Sequence, residues 1–532
     1  MKKILSITLL FFWSSLHAGT NYYVAASGSN SNNGLAPAAA FGTVTYAATV
    51  AIHGDTINIM GGTYFNANFG NGDYWKEEQT IRINNKNSAT GNYLVIRPYN
   101  HEQVILKGDG NFIFQIRNSS YIRVEELELF GESDNIPLPL ALGYQFAFKR
   151  NTNTPTTPIE YRCIPGTNTF QSGLEDLSNL TIYRPFYFFT HGVVVQGSHH
   201  ISIENNLIHH LPGEGVRFVS SDYVYAIGNE IHNCSRKSSN GGHGMSCYTL
   251  NSIDNYDGVK IIFSNNLVHD NYCQVASWSE LKTIFNPVID EGKGMTIQRT
   301  FSANGWLHGR ILIENNIAFN NGLSGIHINE GDRIDIINNT LYNNSRYGDG
   351  NNLGISAASV NDVKIYNNII TTNLSWGGFS ISTTPGSADL VVSNNLVNGG
   401  LDPDIDLIDV NTIVADPLFA DTFQFQLKSI SPAINNALNT VAPALDFYSI
   451  SRDADPDRGA AEYNAPSVCY SIKTGIWNNP AVWSCGHVPF TFDEVTIAAG
   501  HTVIVNKDAH AKSLDVYGIL NIQPARLLRV KQ

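Results

Sequence analysis

An asparagine doublet returns along the middle of this chain, and it constrains the fold more than any other feature. Each doublet follows a short run of strand-forming residues and precedes another, as in Ile201 to Glu204 and Leu207 to His209 around the first one. The smallest spacing occurs twice and the other gaps are longer, which is typical of a solenoid with insertions. The doublets are Asn205-Asn206, Asn265-Asn266, Asn315-Asn316, Asn338-Asn339, Asn367-Asn368 and Asn394-Asn395, with Gly228-Asn229 filling the one gap.

Asparagine suits a tight corner because it tolerates a left-handed backbone, and its amide can hydrogen-bond to the same amide one coil away. Disorder is the alternative interpretation of Asn-rich sequence, but the interleaved Val, Ile, Leu and Phe argue against it. The sequence therefore predicts an all-β protein that winds into a right-handed parallel β-helix. A second register supports this, because a glycine opens one strand of each coil: Gly192, Gly215, Gly244, Gly294, Gly325, Gly354 and Gly378.

Residues 1–18 have the pattern of a secretory signal peptide, with Lys2 and Lys3, an apolar run from Ile4 to Trp13, and a cleavage site at Ala18. No later apolar stretch is long enough to cross a bilayer. We therefore expect a secreted or cell-surface monomer, extracellular or periplasmic, without membrane insertion. Loss of the two lysines makes the net charge of -13 more negative, which disfavours nucleic acid as a partner.

Export permits disulfides among the six cysteines. The sequence predicts that Cys469 pairs with Cys485 near the C-terminus. A bridge between Cys234 and Cys273 is expected because both follow the third strands of neighbouring coils. Cys247 is expected to point into the core, where a free thiol behaves as a small hydrophobic group.

We predict three parts after the signal peptide is removed. Residues 19–463 form the β-helix, with a short capping helix within Phe41 to Ile52. An insertion at about 134–189 interrupts the β-helix, and its aromatic residues either form a sugar-stacking wall or pack against the solenoid. Residues 464–532 form a small β-rich accessory module, which is either incomplete or continues the stack.

Several segments resemble secreted β-helix proteins of the pectate-lyase superfamily. The resemblance spans roughly residues 21 to 463 and implies a carbohydrate-active protein whose substrate groove follows the outer face of each first strand. Asp290-Glu291-Gly292-Lys293 departs from the Asp-Gly-Asn-Gly that is usual in that family. The segments are 54–57 with 61–64, 290–294, 309–316, 325–328 and 457–463.

Alternation along the glycine-started strands sorts their side chains. The residue after each glycine is expected inside, as in Val216 and Phe379, and the next one outside, as in Arg217 and Ser380. The middle coils are therefore expected to bring polar side chains onto one outer patch, beside the longest loop. That patch contains Glu214, Arg217, His243, Tyr248, Asp290, Glu291, Lys293, Gln298, His327 and Glu330.

One interpretation of this patch is a polysaccharide lyase site. β-Elimination in a uronic-acid polymer needs a base, a cation that neutralises the carboxylate, and a proton donor for the leaving oxygen. The predicted roles are base for Lys293, carboxylate binding for Arg217, and proton donation for Tyr248 or His243. Glu291 and His327 are further expected site residues, and Asp290, Glu291 and Glu330 are the predicted ligands of Ca²⁺.

Three alternatives stay open. Gly242-His243-Gly244 is similar to a segment of polygalacturonases, and Glu214 with Glu291 or Asp290 would provide the two carboxylates of a glycoside hydrolase. The second alternative is a non-catalytic glycan-binding or adhesin solenoid, and the third is that the patch is only a solvated polar face of the solenoid.

Three histidines share one position in successive coils, namely His209, His232 and His269. They predict a stacking ladder or, as the alternative, a transition-metal site.

Overall fold

The computed structural model describes residues 19–89, 91–150, 157–164, 167, 169–279, 287–345, 354–372, 379–384, 386–406, 409–464, 467–524 and 526–530. The predicted signal peptide and Gly378 of the glycine register lie outside these ranges. Within them, no helix combines the length and the apolar character needed to span a bilayer.

Most strands belong to three columns of parallel strands, which the chain visits in the same order in each coil. The first column contains Gln79–Asn84, Phe112–Arg117, His191–Gln196, Val216–Val219, Met245–Tyr248, Met295–Thr300 and Ile381–Thr383. The second contains Asn21–Val24, Thr56–Ile59, Leu94–Pro98, Ser120–Glu125, His199–Glu204, Asp222–Ile227, Val259–Ser264, Arg310–Glu314, Ala388–Ser393 and Asp409–Val410.

The third column contains Gly62–Phe65, Val104–Lys107, Glu128–Phe130, Leu207–His209, Glu230–His232, Leu267–His269, Ile317–Phe319, Thr340–Asn344, Ile369–Thr372, Leu396–Asn398 and Ile413–Val414. Two long strands, Ile326–Ile337 and Ile355–Tyr366, run through both the first and the second column. Because each strand pairs in parallel with strands of the adjacent coils, the architecture is a parallel β-helix, as predicted.

The two residues of each asparagine doublet have different tasks. The first turns the corner with a positive φ, which is 56° at Asn205 and 58° at Asn265. The second is buried and forms a ladder, since Nδ2 of Asn206 donates to Oδ1 of Asn229 at 3.0 Å and the same bond repeats coil after coil. The ladder continues through Asn266, Asn316, Asn339, Asn368 and Asn395.

The core is built by the inward residues of all three columns, for example Ile203 of the second column and Ile208 of the third. Val216, Met245, Met295 and Ile326 stand in register and are fully buried, as alternation predicts. At the N-terminal end, the helix Val44–Val50 buries three side chains in this core, and the Thr43 side chain caps it by accepting the backbone N–H of Tyr46 at 3.2 Å.

The last coil of the first column departs from the predicted register. Ile381 pairs with Ile355, so Ser380 takes the glycine position and is buried, while Phe379 is 36% exposed. The predictions that Phe379 points inward and Ser380 outward are wrong. A register that places Ile381 in the core column buries more apolar surface than one that starts at Gly378.

The insertion leaves the solenoid after Phe130 and returns at His191. It holds the helix Leu138–Gly143, the antiparallel strands Ala147–Arg150, Glu160–Tyr161 and Ile182–Tyr183, and the 3₁₀ turns Ser133–Asn135 and Phe186–Phe189. Phe148 and Phe188 are buried, and Nε1 of Trp278 in the longest solenoid loop donates to the Gln145 carbonyl at 2.6 Å. These contacts favour packing over a sugar-stacking wall.

After Val414 the chain runs back along the outside of the asparagine corner. Asn315 Nδ2 donates to the Leu445 carbonyl at 2.7 Å, and Asn265 Nδ2 donates to the Phe447 carbonyl at 3.3 Å. We call residues 438–459 the return segment. Other short helical elements are Pro37–Ala39, Tyr99–His101, Ser302–Asn304, Pro403–Asp406 and Pro480–Val482.

Residues 467–530 form a second, short parallel solenoid, here called the C-terminal unit. Its columns are Val468–Tyr470, Glu494–Ile497 and Ser513–Val516; Gly475–Ile476, Thr502–Val505 and Ile519–Ile522; and Ala509–Ala511 with Leu528–Val530. The unit lies beside the main solenoid and does not extend its stack. Lys507 donates to the Gly228 carbonyl, and Arg526 Nη1 lies 3.1 Å from Glu230 Oε2.

The cysteines confirm two predictions and overturn one. Cys469 and Cys485 form a disulfide, and Cys247 is buried in the core. Cys234 and Cys273 are both free, so the predicted bridge is wrong. The backbone N–H of Cys234 donates to Oδ1 of Asn271 at 2.9 Å, which places Asn271, and not Cys273, opposite Cys234 in the next coil.

Candidate functional site

The middle coils of the first column present one continuous outer wall. Arg217, Ser246, Thr296 and His327 are direct register neighbours on successive strands. Tyr248 pairs with Gln298 in the next outward position. Strand pairing therefore brings together side chains that are far apart in sequence. We call this surface the wall; its residues are Glu214, Arg217, His243, Tyr248, Glu291, Lys293 and His327.

Glu291 lies at the centre of this wall. Its Oε2 is 3.1 Å from His243 Nε2 and 3.2 Å from Lys293 Nζ, and Lys293 Nζ also donates to the Asp290 carbonyl at 2.5 Å. The loop is fixed against the previous coil because the Gly292 N–H donates to the Gly242 carbonyl at 2.8 Å. Gly292 has φ 91°, and a Cβ there would lie 2.8 Å from the backbone of Tyr272, so glycine is required.

Glu214 is a second carboxyl group in a different environment. It is 4% exposed, and it accepts hydrogen bonds from Ser246 Oγ at 3.2 and 3.3 Å. Burial raises the pKa of Glu214, the 3.5 Å contact with Arg217 opposes that shift, and the charge of Glu291 adds to it. Glu214 therefore holds its proton to a higher pH than an exposed glutamic acid.

Both carboxyl groups face adjacent residues of one loop. A Cβ on Gly241 would lie 3.2 Å from Cγ of Glu291, and a Cβ on Gly242 would lie 3.2 Å from Cγ of Glu214. The two glycines have φ of 75° and 153°. A side chain at Gly241 or Gly242 would therefore crowd one of the two glutamates.

The histidines of the wall are neutral. Burial and the charges of Lys293 and Arg217 hold the pKa of His243 well below its usual range, so its contact with Glu291 is a hydrogen bond and not an ion pair. Burial, Lys293 and His243 likewise lower the pKa of His327. Nδ1 of each ring is buried and has no hydrogen-bond partner in the described part of the chain.

Two guanidinium groups surround Tyr248. The Arg217 Cζ lies 5.7 Å from the centre of the Tyr248 ring, and Arg299 Nη1 donates to the Tyr248 hydroxyl at 3.1 Å. Sequence reasoning missed Arg299, because strict alternation places it inward after Gln298. Its φ of 49° breaks the alternation and turns the side chain outward, and a strand pattern carries no signal for such a kink.

The predicted calcium ligands do not converge. Asp290 Oδ1 accepts a hydrogen bond from Ser277 at 3.1 Å, Glu291 contacts Lys293, and Glu330 Oε2 lies 3.6 Å from Arg299 Nε. Within the described ranges, the sole group of three metal-binding side chains with mutually close ligand atoms is Cys469, Cys485 and His487, and its sulfurs form the disulfide. The residues present therefore do not fit the three-carboxylate site.

The histidine column is a stacking ladder. The rings of His209 and His232 are 5.0 Å apart and those of His232 and His269 are 4.8 Å apart, with interplanar angles of 10° and 8°. Phe130 and Phe319 continue the stack at its two ends, each at 4.6 Å. Burial opposes protonation of His269, but hydrogen bonds to Asp270 and Glu230 raise its pKa to about 9.

The fold is a right-handed parallel β-helix, and residues 302–415 match the family model described as a right handed beta helix region. The chain is similar in structure to pectate lyase Pel9A, with 17% identity, coverage of 85% of this chain and 98% of that chain, and a TM-score of 0.47. It is also similar to a glycoside hydrolase, with 11% identity, coverage of 75% and 95%, and a TM-score of 0.42. An alginate lyase from Paenibacillus sp. str. FPU-7 shows 11% identity, coverage of 70% and 95%, and a TM-score of 0.35. No curated protein matches the sequence.

Proposed function

We propose that this protein is an exported carbohydrate-active enzyme that cleaves a polysaccharide on the wall, which we therefore call the catalytic wall. The observation that carries the proposal is the pair of carboxyl groups, Glu214 and Glu291, in opposite environments. Glu214 is buried with a raised pKa, whereas Glu291 faces the ammonium group of Lys293. Glycosidic bond cleavage requires a carboxylic acid that keeps its proton for the leaving oxygen and a second carboxyl group beside it.

The presence of a buried acid and a second carboxyl group on the same wall favours hydrolysis. In this scheme Glu214 gives its proton to the leaving glycosidic oxygen as the bond to the anomeric carbon breaks. Glu291 takes the proton of the attacking water, or attacks the anomeric carbon itself before water releases the sugar. His243 holds the Glu291 carboxylate at 3.1 Å, and Arg217 and Tyr248 lie beside the place where the sugar would bind.

A second candidate is the predicted β-elimination in a uronic-acid polymer. The cluster of Arg217, Tyr248 and Arg299 favours it, because guanidinium groups neutralise a uronate and a phenol can give up or take a proton. Lys293, the predicted base, is engaged by Glu291 and the Asp290 carbonyl, and it would have to leave both to accept the C5 proton. A calcium requirement stays a prediction, which a chelation experiment tests.

The deciding experiment assays the purified protein against neutral and uronate polysaccharides, with and without a chelator. Hydrolysis gives new reducing ends without ultraviolet absorbance, elimination gives new reducing ends together with unsaturated non-reducing ends that absorb in the ultraviolet, and a binding protein gives neither. We expect Glu214→Gln and Glu291→Gln each to lower kcat by about 100-fold or more. Glu77→Gln, a change at an exposed glutamate, is the matched control. Wild-type turnover in both site variants would refute the proposal.

Lys293→Met separates the two reactions. If Lys293 is the base of an elimination, this variant loses turnover while the products of any residual activity still absorb. If it only pairs with Glu291, hydrolysis is weakened and not abolished. Export and the monomeric state are further proposals, and they are tested by the mass of the secreted protein, which we expect to begin at Gly19, and by light scattering.

A further inference from the structure

A large cleft lies on the flank of the molecule, away from the catalytic wall. It is enclosed by the asparagine corner of the solenoid, the return segment and the C-terminal unit, and its volume is about 1010 Å³. None of the residues of the catalytic wall lines it. We call it the flank cleft. Clefts of this size between packed units are common places for ligand binding.

The lining combines amide groups with aromatic rings. Eight asparagines are among the lining residues, namely Asn205, Asn229, Asn265, Asn315, Asn320, Asn478, Asn479 and Asn506, although Nδ2 of Asn265 and Nδ2 of Asn315 already donate to carbonyls of the return segment. The ring of Phe423 is 57% exposed at the edge of the cleft and lies 4.8 Å from the guanidinium carbon of Arg529. Amides can both donate to and accept from sugar hydroxyls, and an exposed ring can stack on the apolar face of a pyranose.

Three buried polar atoms of the lining residues have no hydrogen-bond partner in the described part of the chain. They are Nε1 of Trp477, Oδ1 of Asn478 and Oδ1 of Asn506, all from the C-terminal unit. A buried polar atom without a partner is destabilising. The C-terminal unit thus contributes one donor and two acceptors without partners from residues of the lining, and sugar hydroxyls both donate and accept.

The charge of the lining narrows the class of ligand. Five carboxylates line the cleft, from Glu126, Glu230, Asp270, Glu314 and Asp508, against the cations of Lys507 and Arg529 and the nearby His269. Arg526 pairs with Glu230 behind this surface. An excess of negative charge disfavours a polyanion such as a uronate polymer.

We infer that the flank cleft binds a short neutral oligosaccharide, at a site separate from the catalytic wall. The C-terminal unit then has a function beyond covering the solenoid, since it supplies one side of this site. The inference does not depend on the reaction at the wall, because it concerns binding alone.

Calorimetry of the full chain carrying Glu214→Gln tests this inference. The probes are hexasaccharides of glucose, xylose, mannose and galactose, with a uronate hexasaccharide as the charged comparison. We expect at least one neutral probe to bind. Adding Phe423→Ala should weaken that binding about tenfold, because aromatic contacts dominate such interfaces. Ala444→Trp, at an exposed lining position, should block it.

Phe65→Ala removes a ring of similar exposure, 48%, on another part of the solenoid and is the matched control. Melting temperatures of all variants show whether the fold is kept. The inference is overturned if no neutral probe binds at millimolar concentration, or if Phe423→Ala and Ala444→Trp bind like the parent. It is also overturned if Arg217→Ala abolishes the same binding, which would place the sugar on the wall. If the wild-type protein cleaves none of the polysaccharides while a neutral probe still binds at the flank cleft, the proposed function is refuted and this inference stands.

Discussion

Oε2 of Glu291 lies 3.1 Å from Nε2 of His243, although the two residues belong to different coils of the solenoid. The contact exists because the loop that carries Glu291 folds back onto the strand start at Gly244, where Gly242 accepts the N–H of Gly292. We therefore expect His243 to act as a positioning residue for the carboxylate, with burial holding the pKa of its ring well below the usual range.

Substitution of His243 should show this positioning role. We expect His243→Ala to lower kcat about 10- to 100-fold with little change in KM, by analogy with other groups that orient a reacting side chain. His243→Gln keeps a nitrogen donor near the same place and should recover part of the loss. Steady-state kinetics of both variants provide the measurement, and equal losses in the two would speak against a positioning hydrogen bond.

The pH profile should report the raised pKa of Glu214. A proton donor is active below its pKa, so kcat/KM should fall as pH rises through the raised pKa of this group. Arg217 lowers that pKa, and Arg217→Met should therefore move the alkaline limb to higher pH by about one unit. Whatever the variant loses in overall rate, a limb that stays in place or moves to lower pH would contradict the assignment.

Acid should destabilise the protein through His191, which lies beneath Glu214 and accepts the Glu214 N–H on Nδ1 at 2.8 Å. Burial and the charge of Arg217 lower the pKa of His191 to about 3. The unfolded chain takes up this proton near the ordinary pKa of 6.5, so stability is lost as pH falls from there toward 3. Each pH unit costs up to about 1.4 kcal/mol.

His191→Asn keeps an acceptor near the position of Nδ1 and removes the titration. We expect this variant to lose less stability than the parent between pH 7 and pH 4.5, whatever its stability at pH 7. Urea unfolding at the two pH values measures the difference. His501→Asn, a change at a histidine of the C-terminal unit whose Nδ1 contacts Ser471 Oγ at 3.0 Å, controls for general effects of replacing a histidine. An unchanged pH slope in His191→Asn would count against the argument.

The columns of the solenoid could be predicted because they depend on local and repeated features. The doublet predicts a corner and an amide ladder, and in the structure Asn205 turns the corner while Asn206 joins the ladder. Val216 and Arg217 lie on opposite faces of their strand because side chains alternate with a period of two. The predictions failed where a single residue breaks the repeat. Arg299 turns outward through a left-handed kink, and the strand after Gly378 starts later than its glycine.

The sequence could predict which residues lie near one another at the site, but not which of them pair. Register alone places Arg217 beside Ser246, Thr296 and His327. The pairing of Glu291 with Lys293 and His243 depends on how an irregular loop closes, and nothing in the spacing of these residues determines that closure. For the same reason the sequence could not show that Asp290 and Glu330 turn to other partners, Ser277 and Arg299.

The asparagine ladder should be a major source of stability, and Asn316 tests it at the centre. Its Oδ1 accepts both the backbone N–H and Nδ2 of Asn266 at 2.9 Å, and its Nδ2 donates to the Phe263 carbonyl at 2.8 Å and to Oδ1 of Asn339 at 2.9 Å. Asn316→Ala leaves several of these buried groups without partners, which should lower the free energy of unfolding by about 2–5 kcal/mol. Asn316→Asp has the same shape but places a charge in the ladder and loses both donors, so it should lower the free energy of unfolding further.

Asn436→Ala, at an exposed asparagine with only local backbone contacts, should change stability by less than about 0.5 kcal/mol. Denaturant unfolding of the three variants provides the comparison. If the loss of stability at Asn316 is no larger than at Asn436, the amide ladder contributes little to the stability of the fold, and the apolar core provides most of it.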